Sequence, residues 1–417
     1  MRNLQKIVTR LSLTGLLCLL IACNNSSQKQ TTDVKASTIA AKGSYAYDAA
    51  FLKAHTEKII ELSNGQGAKV LLSADYQGRV MTSTATGDTG ISFGWLKYDL
   101  IEAKEKKAQF NPVGGEERFW LGPEGGQYSL YFKPGDSFNI VKWQVPAIID
   151  TIAYTVANAD ESKATFTQRA SLKNYRGNIF DINIERTVSL LTKEQIAEKM
   201  GITLSGNIHF VGFETNNNIT NTGAVDWTKD KGLLSIWLLG MFTPSPETVV
   251  IIPFRPIPNA RSYITDNYFG NIPAERLKIK DSVLYFMCDG KFRSKIGLSP
   301  VIAKSMAASY DFAKNVLTII IPEVHKNASY VNSKWEIQQQ PYKGDVINSY
   351  NDGPLEDGSQ MGPFYEIESS SPALELKKGG TSKYKQTTCH LVGDYVTLKK
   401  IALDLLSVDL DELKNNL

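Results

Sequence analysis

Short apolar segments separated by turn residues recur from residue 68 to residue 391, and they constrain the fold more than any other feature of the sequence. Segment 68–74 reads AKVLLSA, segment 79–85 reads RVMTSTA, and the turn DYQG lies between them. Such runs, bounded by Gly, Asn or Asp, predict β-strands. The further predicted strands are 128–132, 148–156, 164–172, 182–191, 209–216, 233–241, 248–253, 277–284, 316–321, 365–369 and 384–391.

Helical patterns are confined mostly to the two ends of this series. Asp48 is expected to cap an N-terminal helix that ends at Asn64-Gly65. Thr192 is expected to cap a short helix, and Thr397 a C-terminal one. Many strands with few helices favour sheet packed on sheet. We therefore predict a mainly β protein, a large β-sandwich with short N- and C-terminal helices.

The N-terminus has the parts of a secretory signal. Three cations precede the apolar stretch 11–21, and Ala22 and Cys23 follow it at once. The stretch is too short for a stable membrane span, which needs roughly 20 residues. The tetrapeptide LIAC that ends at Cys23 resembles the bacterial lipobox. We expect a signal peptide at 1–22 and lipidation of Cys23; the alternative is an uncleaved signal anchor or a chance cysteine.

Residues 23–45 are rich in Asn, Ser, Gln and Thr and predict a flexible tether. The rest of the chain, 46–417, is expected to be a single domain. Asn24, which stands after the cysteine in place of Asp, favours the outer membrane by resemblance to lipoprotein sorting rules. We expect a protein of the cell envelope, on its periplasmic or surface face, bound to the membrane by its N-terminal lipid.

Composition excludes several classes of function. The formal net charge is +3 with no long basic block, so nucleic acid is not an expected partner. No Cys/His cluster has zinc spacing and no nucleotide-binding motif occurs, so no metal and no cofactor are predicted. We expect a monomer. Cys288 and Cys389 could form a disulfide or remain two buried thiols, and the sequence leaves both open.

A Gly-rich segment at 111–133 (NPVGGEERFWLGPEGGQYSLYFK) combines carboxylates, a cation and aromatic rings. Glycines let a loop approach a ligand, and aromatic rings offer flat apolar faces to the C–H groups of a sugar. We therefore predict that Glu117, Arg118 and Trp120 contact a ligand. The alternative is a structural loop in which Trp120 belongs to the core and Arg118 pairs with Glu116 or Glu117.

Two carboxylates share one predicted strand in the segment 364–371 (FYEIESSS). Because side chains alternate along a strand, Glu366 and Glu368 point to the same face, where they repel each other unless a cation or a hydroxylated ligand accepts them. Both are candidate catalytic residues, and Phe364 would share their face. The alternative is an exposed sheet face without a ligand.

Three further groups of polar residues are less specific. Asn348, Asn351 and Asp352 in the segment NSYND are candidate ligand-binding residues. The cations of DGKFRSK at 289–295 follow a hairpin turn signal and are expected to be solvated. Two histidines lie on predicted strands: His209 is a candidate catalytic acid and His390 a candidate ligand-binding residue.

Three segments carry a family resemblance: GGEERFWLGPEGGQYSLYF, GKFRSKIG and NSYNDGP…GPFYEIESSSPALELKKGGTSKYKQTTCHLVG. They resemble an uncharacterised family of bacterial lipoproteins related to galactose mutarotase-like and aldose 1-epimerase domains. The resemblance implies a mutarotase-like β-supersandwich with a sugar-binding concave face, and it places Glu366 or Glu368 at the family's catalytic carboxylate. The strand expected to supply the histidine acid is 235–242 (SIWLLGMF), which has none.

Three functions follow from this reading. The first is a lipid-anchored carbohydrate-binding protein of the cell envelope. The second is a sugar-active enzyme, an epimerase or a glycoside-processing relative, that uses a Glu base. The third is a non-catalytic structural or interaction lipoprotein. Convergence of the candidate residues in one pocket would favour the first two, and a histidine facing a glutamate there would favour the second.

Overall fold

The computed structural model of the chain describes residues 40–204 and 207–415. The expected signal peptide at 1–22, the lipidated Cys23 and most of the expected tether lie outside the described residues. In the part of the chain that is described, no helix is long and apolar enough to cross a membrane.

Strands outnumber helices along the described chain. The helices are α1 Tyr45–His55, α2 Tyr98–Ala103, α3 Lys193–Met200, α4 Tyr395–Leu406 and α5 Leu410–Asn415. The strands are β1 Ile59–Ser63, β2 Lys69–Ser73, β3 Arg79–Thr84, β4 Arg118–Gly122, β5 Thr155–Ala159, β6 Lys163–Lys173, β7 Ile179–Leu190, β8 Ile208–Asn221, β9 Ser235–Phe242, β10 Thr248–Pro253, β11 Ile264–Thr265, β12 Leu277–Lys280, β13 Val283–Met287, β14 Ser294–Leu298, β15 Ala307–Asp311, β16 Val316–Pro322, β17 Ile347–Asn351, β18 Tyr365–Ser370 and β19 Thr381–Gly393.

The strands form two large antiparallel sheets and one small one. The ten-stranded sheet has the order β12-β13-β10-β15-β16-β19-β8-β7-β6-β5, and the six-stranded sheet has the order β11-β14-β17-β18-β9-β4. A third sheet consists of the first three strands of the chain, in the order β1-β2-β3. The prediction of a mainly β fold with short helices toward both ends is confirmed.

The helix ends differ from the sequence prediction in detail. Ser44, not Asp48, caps α1, and the helix ends at His55 because the next segment pairs with β2 as β1. Asp48 is instead buried and accepts hydrogen bonds from Ser92 and Tyr98. Asp394 caps α4. The expected cap of α3 by Thr192 is confirmed.

Some strands were placed wrongly by pattern alone. The predicted strand at 128–132 is a loop with buried aromatic side chains, and the predicted strand at 148–156 begins only at Thr155. Strands β1, β4, β11, β14, β15 and β17 are not among the predicted strands. β17 reads INSYN, and its Asn and Ser residues are typical of turns, so only its pairing with two neighbours makes it a strand.

One face of β18 packs against the ten-stranded sheet. The Tyr365 hydroxyl shares a 2.8 Å hydrogen bond with Ser309 of β15. Ser369 donates to Gln386 of β19 at 2.6 Å, and Ile367 between them is fully buried. Because side chains alternate, the intervening residues of β18 must point to the opposite face of the six-stranded sheet. We call this opposite face the outer face.

A fully buried ion pair lies between the two large sheets. Arg186 of β7 and Glu117 form an ion pair of 2.9 Å, and both side chains are fully buried. Arg186 also donates to the Gly78 carbonyl at 3.0 Å and to Asn217 at 2.6 Å, while Gln386 donates to Glu117 at 2.8 Å. A buried pair with its remaining hydrogen bonds made is tolerated, but removal of one partner leaves an uncompensated charge.

Both remaining cysteines are free thiols. Cys288 and Cys389 are fully buried and make no disulfide. Burial raises the pKa of Cys389 to about 12, so the thiolate form is strongly disfavoured. Of the two alternatives that the sequence left open, the structure has the buried thiols.

Replacement of Arg186 by Met should destabilise the fold by about 3–5 kcal/mol, because Glu117 would remain buried without its cation. The measurement is the free energy of unfolding in urea. The matched control is Arg169→Met, since Arg169 is exposed on neighbouring β6. Equal costs for the two substitutions would contradict a structural role for the buried pair.

Candidate functional site

The outer face of the six-stranded sheet gathers most of the charged and aromatic residues singled out in the sequence. Directly paired residues of antiparallel strands point to the same side. Glu366 of β18 lies between Tyr350 of β17 and Met241 of β9. The side chains placed on this face by the register are Arg118, Trp120, Trp237, Leu239, Met241, Lys295, Asn348, Tyr350, Glu366 and Glu368.

Arg118 neutralises the first glutamate. It stands on β4 and forms an ion pair with Glu366, although the two residues are distant in sequence. Its guanidinium also lies 4.8 Å from the ring centre of Trp120, a cation–π contact. Arg118 therefore does not pair with Glu116 or Glu117, which was the structural alternative. Trp120, however, is buried, as that alternative expected.

Lys295 neutralises the second glutamate. The Lys295 ammonium lies 2.9 Å from Glu368, and the indole N–H of Trp237 donates to the same carboxylate at 2.9 Å. The ammonium also lies 5.1 Å from the ring centre of Trp237. The expectation that the cations of 289–295 are solvated is thus wrong for Lys295, whose side chain is only 15% exposed.

The two ion pairs differ in how burial affects their charges. Burial raises the pKa of Glu366 to about 7, against the lowering effect of Arg118. Burial alone would lower the pKa of Lys295, but Glu368 and Glu124 hold it above its ordinary value. Lys295 therefore stays charged at neutral pH, while Glu366 can exist in either protonation state there.

A polar rim borders the ion pairs on the side of β11 and β14. The Tyr268 hydroxyl donates to Asp345 at 2.6 Å and accepts from the Asn348 amide at 3.3 Å. A Cβ on Gly297 would lie only 2.2 Å from Asp345 and 2.6 Å from Asn348, so the close approach requires glycine. Arg293 donates to the Tyr350 hydroxyl at 3.3 Å.

Apolar side chains cover the other side of the face. Trp95, Met241, Tyr350 and Phe364 form one buried cluster, with Met361 packed against it. This cluster explains why the charged groups are shielded from water. The shielding is incomplete, because the side chains of Glu366 and Lys295 keep 9% and 15% of their surface exposed.

Several buried polar atoms on or beside this face have no hydrogen-bond partner among the described residues. They are Arg118 Nε, Trp120 Nε1 and Glu368 Oε1. Trp120 also contacts Phe110 and Tyr131, and both of these pack against Trp143. An unpaired buried polar atom costs about 1–3 kcal/mol. Buried atoms without a partner also occur elsewhere in the described core, among them Arg79 Nε and Glu116 Oε2.

Glu117 and His390, two candidate ligand-binding residues, lie elsewhere. Glu117 pairs with Arg186 between the sheets. His390 Nε2 lies 2.7 Å from Glu116, its Nδ1 lies 2.8 Å from Thr318, and the ring is fully buried. With both ring nitrogens engaged, His390 is a structural histidine of the inter-sheet core.

The other candidates take up three different positions. Asn348 is on the outer face, beside Glu368. Asn351 is buried and holds the turn before β14, accepting from Gly290 N and donating to the Phe292 carbonyl, both at 2.9 Å. Asp352 accepts a hydrogen bond from the Tyr350 hydroxyl at 3.0 Å and so holds that side chain in place. His209 is exposed on β8 of the other sheet.

Lys295, Trp237, Tyr268 and Tyr350 are the site residues that sequence reasoning missed. Lys295 stands two residues after Arg293, and this alternation was the available signal that both cations share a strand face. Trp237 lies in a strand whose sequence is almost uniformly apolar, so the pattern gives no sign that it belongs to a polar site. Among the described residues, no group of three metal-ligating side chains converges.

The structure thus defines a mainly antiparallel β protein with two large sheets and one small one, and with a shielded ionic and aromatic cluster on the outer face of the six-stranded sheet. Residues 43–417 match a family of unknown function, DUF6786, and the chain belongs to this family. No curated protein sequence matches the chain significantly.

Solved structures with a similar chain path exist. A putative aldose 1-epimerase from Escherichia coli is 9% identical, with a TM-score of 0.46 over 80% of this chain and 98% of that one. A galactose mutarotase-like protein from Lactobacillus casei is 11% identical, with a TM-score of 0.46 over 80% and 99%. A Synechocystis protein is 12% identical, with a TM-score of 0.48 over 81% and 96%. At these scores the likeness carries no weight for the function, which must be inferred from the site itself.

Replacement of Glu366 by Gln should make stability less sensitive to pH. The folded pKa of Glu366, about 7, exceeds the ordinary value of 4.5. Its stabilising contribution is therefore complete below pH 4.5 and is lost as the pH rises through 7. Gln mimics the protonated form, so the unfolding free energy of Glu366→Gln relative to the native protein should rise by about 1–3 kcal/mol between pH 4 and pH 8.

Urea unfolding at several pH values measures this difference. The matched control is Glu161→Gln, which removes an exposed carboxylate. If the difference between Glu366→Gln and the native protein stays constant with pH, the assignment of a raised pKa to Glu366 is wrong.

Proposed function

We propose that this protein binds a carbohydrate on the outer face of its six-stranded sheet and is held in the cell envelope by a lipid on Cys23. One observation supports the site above all others. Two glutamates, each neutralised by a cation from a different strand, lie beside the packed pair of Trp120 and Trp237, with buried polar atoms left unpaired near them.

The unpaired atoms match the chemistry of sugar hydroxyls. A hydroxyl both donates and accepts hydrogen bonds. Glu368 Oε1 can accept one, whereas Arg118 Nε and Trp120 Nε1 can donate. A hydroxylated ligand could therefore satisfy donors and acceptors of one small region together.

Binding without ring opening is better supported than mutarotation. General acid–base catalysis needs a proton donor within hydrogen-bond reach of the ring oxygen. On β9, the strand expected to supply a histidine acid, the residues paired with Glu366 and Glu368 are Met241 and Leu239. His390, the histidine of the inter-sheet core, is already bonded on both ring nitrogens.

A second candidate function, a sugar-active enzyme, is favoured by one observation. A carboxyl with a pKa of about 7 is suited to give and take protons at neutral pH, and Glu366 has this property and an exposed edge. Polarimetry of several aldoses distinguishes the two functions. Mutarotation no faster than in buffer supports binding alone, whereas acceleration that Glu366→Gln abolishes would favour the enzyme.

Replacement of Lys295 by Met should weaken saccharide binding at least tenfold. Glu368 would lose its cation, and the outer face would carry an unbalanced negative charge. The measurement is a glycan array followed by calorimetry with the best ligand, using the full chain in detergent. The matched control is His209→Gln, which changes an exposed histidine on the other sheet and should leave affinity unchanged. Thermal melting shows that each variant is folded.

Two results would contradict this proposal. Ligand affinity that survives Lys295→Met but falls with His209→Gln would move the site to the ten-stranded sheet. Binding of a protein partner by the folded chain, with no glycan bound, would favour the interaction lipoprotein instead.

Replacement of Cys23 by Ala should abolish lipid attachment. The proposal requires the Cys23 thiol to be acylated, and two or more acyl chains give stable anchoring where one does not. Metabolic labelling with a radioactive fatty acid, followed by membrane fractionation, measures the effect. The native chain should carry label and sediment with membranes, while Cys23→Ala should carry none; Cys18→Ala, which changes a cysteine of the expected signal, serves as the control.

A further inference from the structure

Arg293 lies at the exposed border of the outer face. It immediately precedes β14, whose Lys295 and Gly297 point to that face, and alternation places Arg293 on the same side. Its side chain is half-buried. It is therefore the cation that an arriving ligand would meet beside the two ion pairs.

Two contacts hold the Arg293 side chain in place. Its Nε donates to the Tyr350 hydroxyl at 3.3 Å. Its guanidinium carbon lies 3.8 Å from the ring centre of Phe269, which is 46% exposed. A guanidinium held through Nε and by stacking is pre-organised, so it loses little conformational freedom when its outer edge forms hydrogen bonds.

The outer edge of this guanidinium is unused. Among the described residues, no carboxylate lies within ion-pair distance of Arg293, and its two terminal amino groups have no hydrogen-bond partner. Asp352, which also contacts Tyr350, already accepts from that hydroxyl and from Gly362 N. Arg118 and Lys295 differ from Arg293, because each forms an ion pair with a glutamate.

We propose that the ligand of this site is an acidic saccharide, and that Arg293 binds its carboxylate or sulfate group. This inference rests on the proposed carbohydrate function and adds the charge of the ligand. The two parallel N–H groups at the end of a guanidinium fit a planar carboxylate or two sulfate oxygens. The sugar ring then lies over Tyr350 and Glu366, next to the anchored Arg293.

Calorimetry with the full chain in detergent tests the proposal with three ligands. These are trigalacturonate, its neutral methyl ester and a sulfated galactan trisaccharide. The native protein should bind at least one acidic ligand about tenfold or more tightly than the methyl ester. Its affinity for that ligand should fall as salt is raised from 50 to 500 mM, while affinity for the ester should not change.

Variants of Arg293 assign the charge effect to this side chain. Arg293→Gln should remove the preference for the acidic ligand and leave binding of the ester within about twofold of native. Arg293→Lys should retain part of the preference, since the charge remains but the planar fork is lost. The matched control, Lys291→Gln, removes an exposed cation from the same turn and should change neither affinity.

The outcomes separate this inference from the function on which it rests. Equal affinity of the native protein for acidic and neutral ligands, with binding still lost in Lys295→Met, overturns the acidic specificity and leaves carbohydrate binding intact. Preference for the sulfated ligand alone or for trigalacturonate alone identifies the group and supports the inference. No binding of any saccharide overturns both. If Arg293→Gln fails to fold, Arg293→Lys and the salt dependence decide.

Discussion

Glu366 and Glu368 are two residues apart on one strand, so the sheet geometry forces two carboxylates onto one shielded face. Like charges at this spacing destabilise the fold unless each is accepted by a cation. Arg118 and Lys295 meet this requirement from strands on opposite sides of β18. The order of the six-stranded sheet is therefore linked to charge balance, because β4 and β14 must flank the central strands for both pairs to form.

The buried ion pair between the sheets differs from the two ion pairs on the outer face. Between the sheets, Glu117 and Arg186 have every charged group engaged by the chain itself. On the outer face the ion pairs are slightly more exposed, neighbouring polar atoms stay unpaired, and burial raises the pKa of Glu366 to about 7. Groups left unsatisfied at such cost are typical of binding sites.

Alternation in the sequence was sufficient to predict the architecture and half of the site. It identified Glu366 and Glu368 as neighbours on one face, but of the six-stranded sheet it placed only β9 and β18. It could not tell which face of a strand points inward, so adjacent Glu117 and Arg118 were assigned one role although they lie on opposite faces. Lys295 was missed for a related reason: its partner is distant in sequence, and a cation near a turn is ordinarily solvated.

The central claim is that the outer face binds a saccharide, and a crystal structure of the protein with an acidic oligosaccharide tests it most directly. The account predicts a sugar ring beside Lys295 and Glu366, with its oxyanion on Arg293. A cavity of about 420 Å³ between β12–β13 and α5 is lined by acidic and basic side chains and is the alternative location for a saccharide. Sugar density there, with the outer face unchanged, would contradict the account.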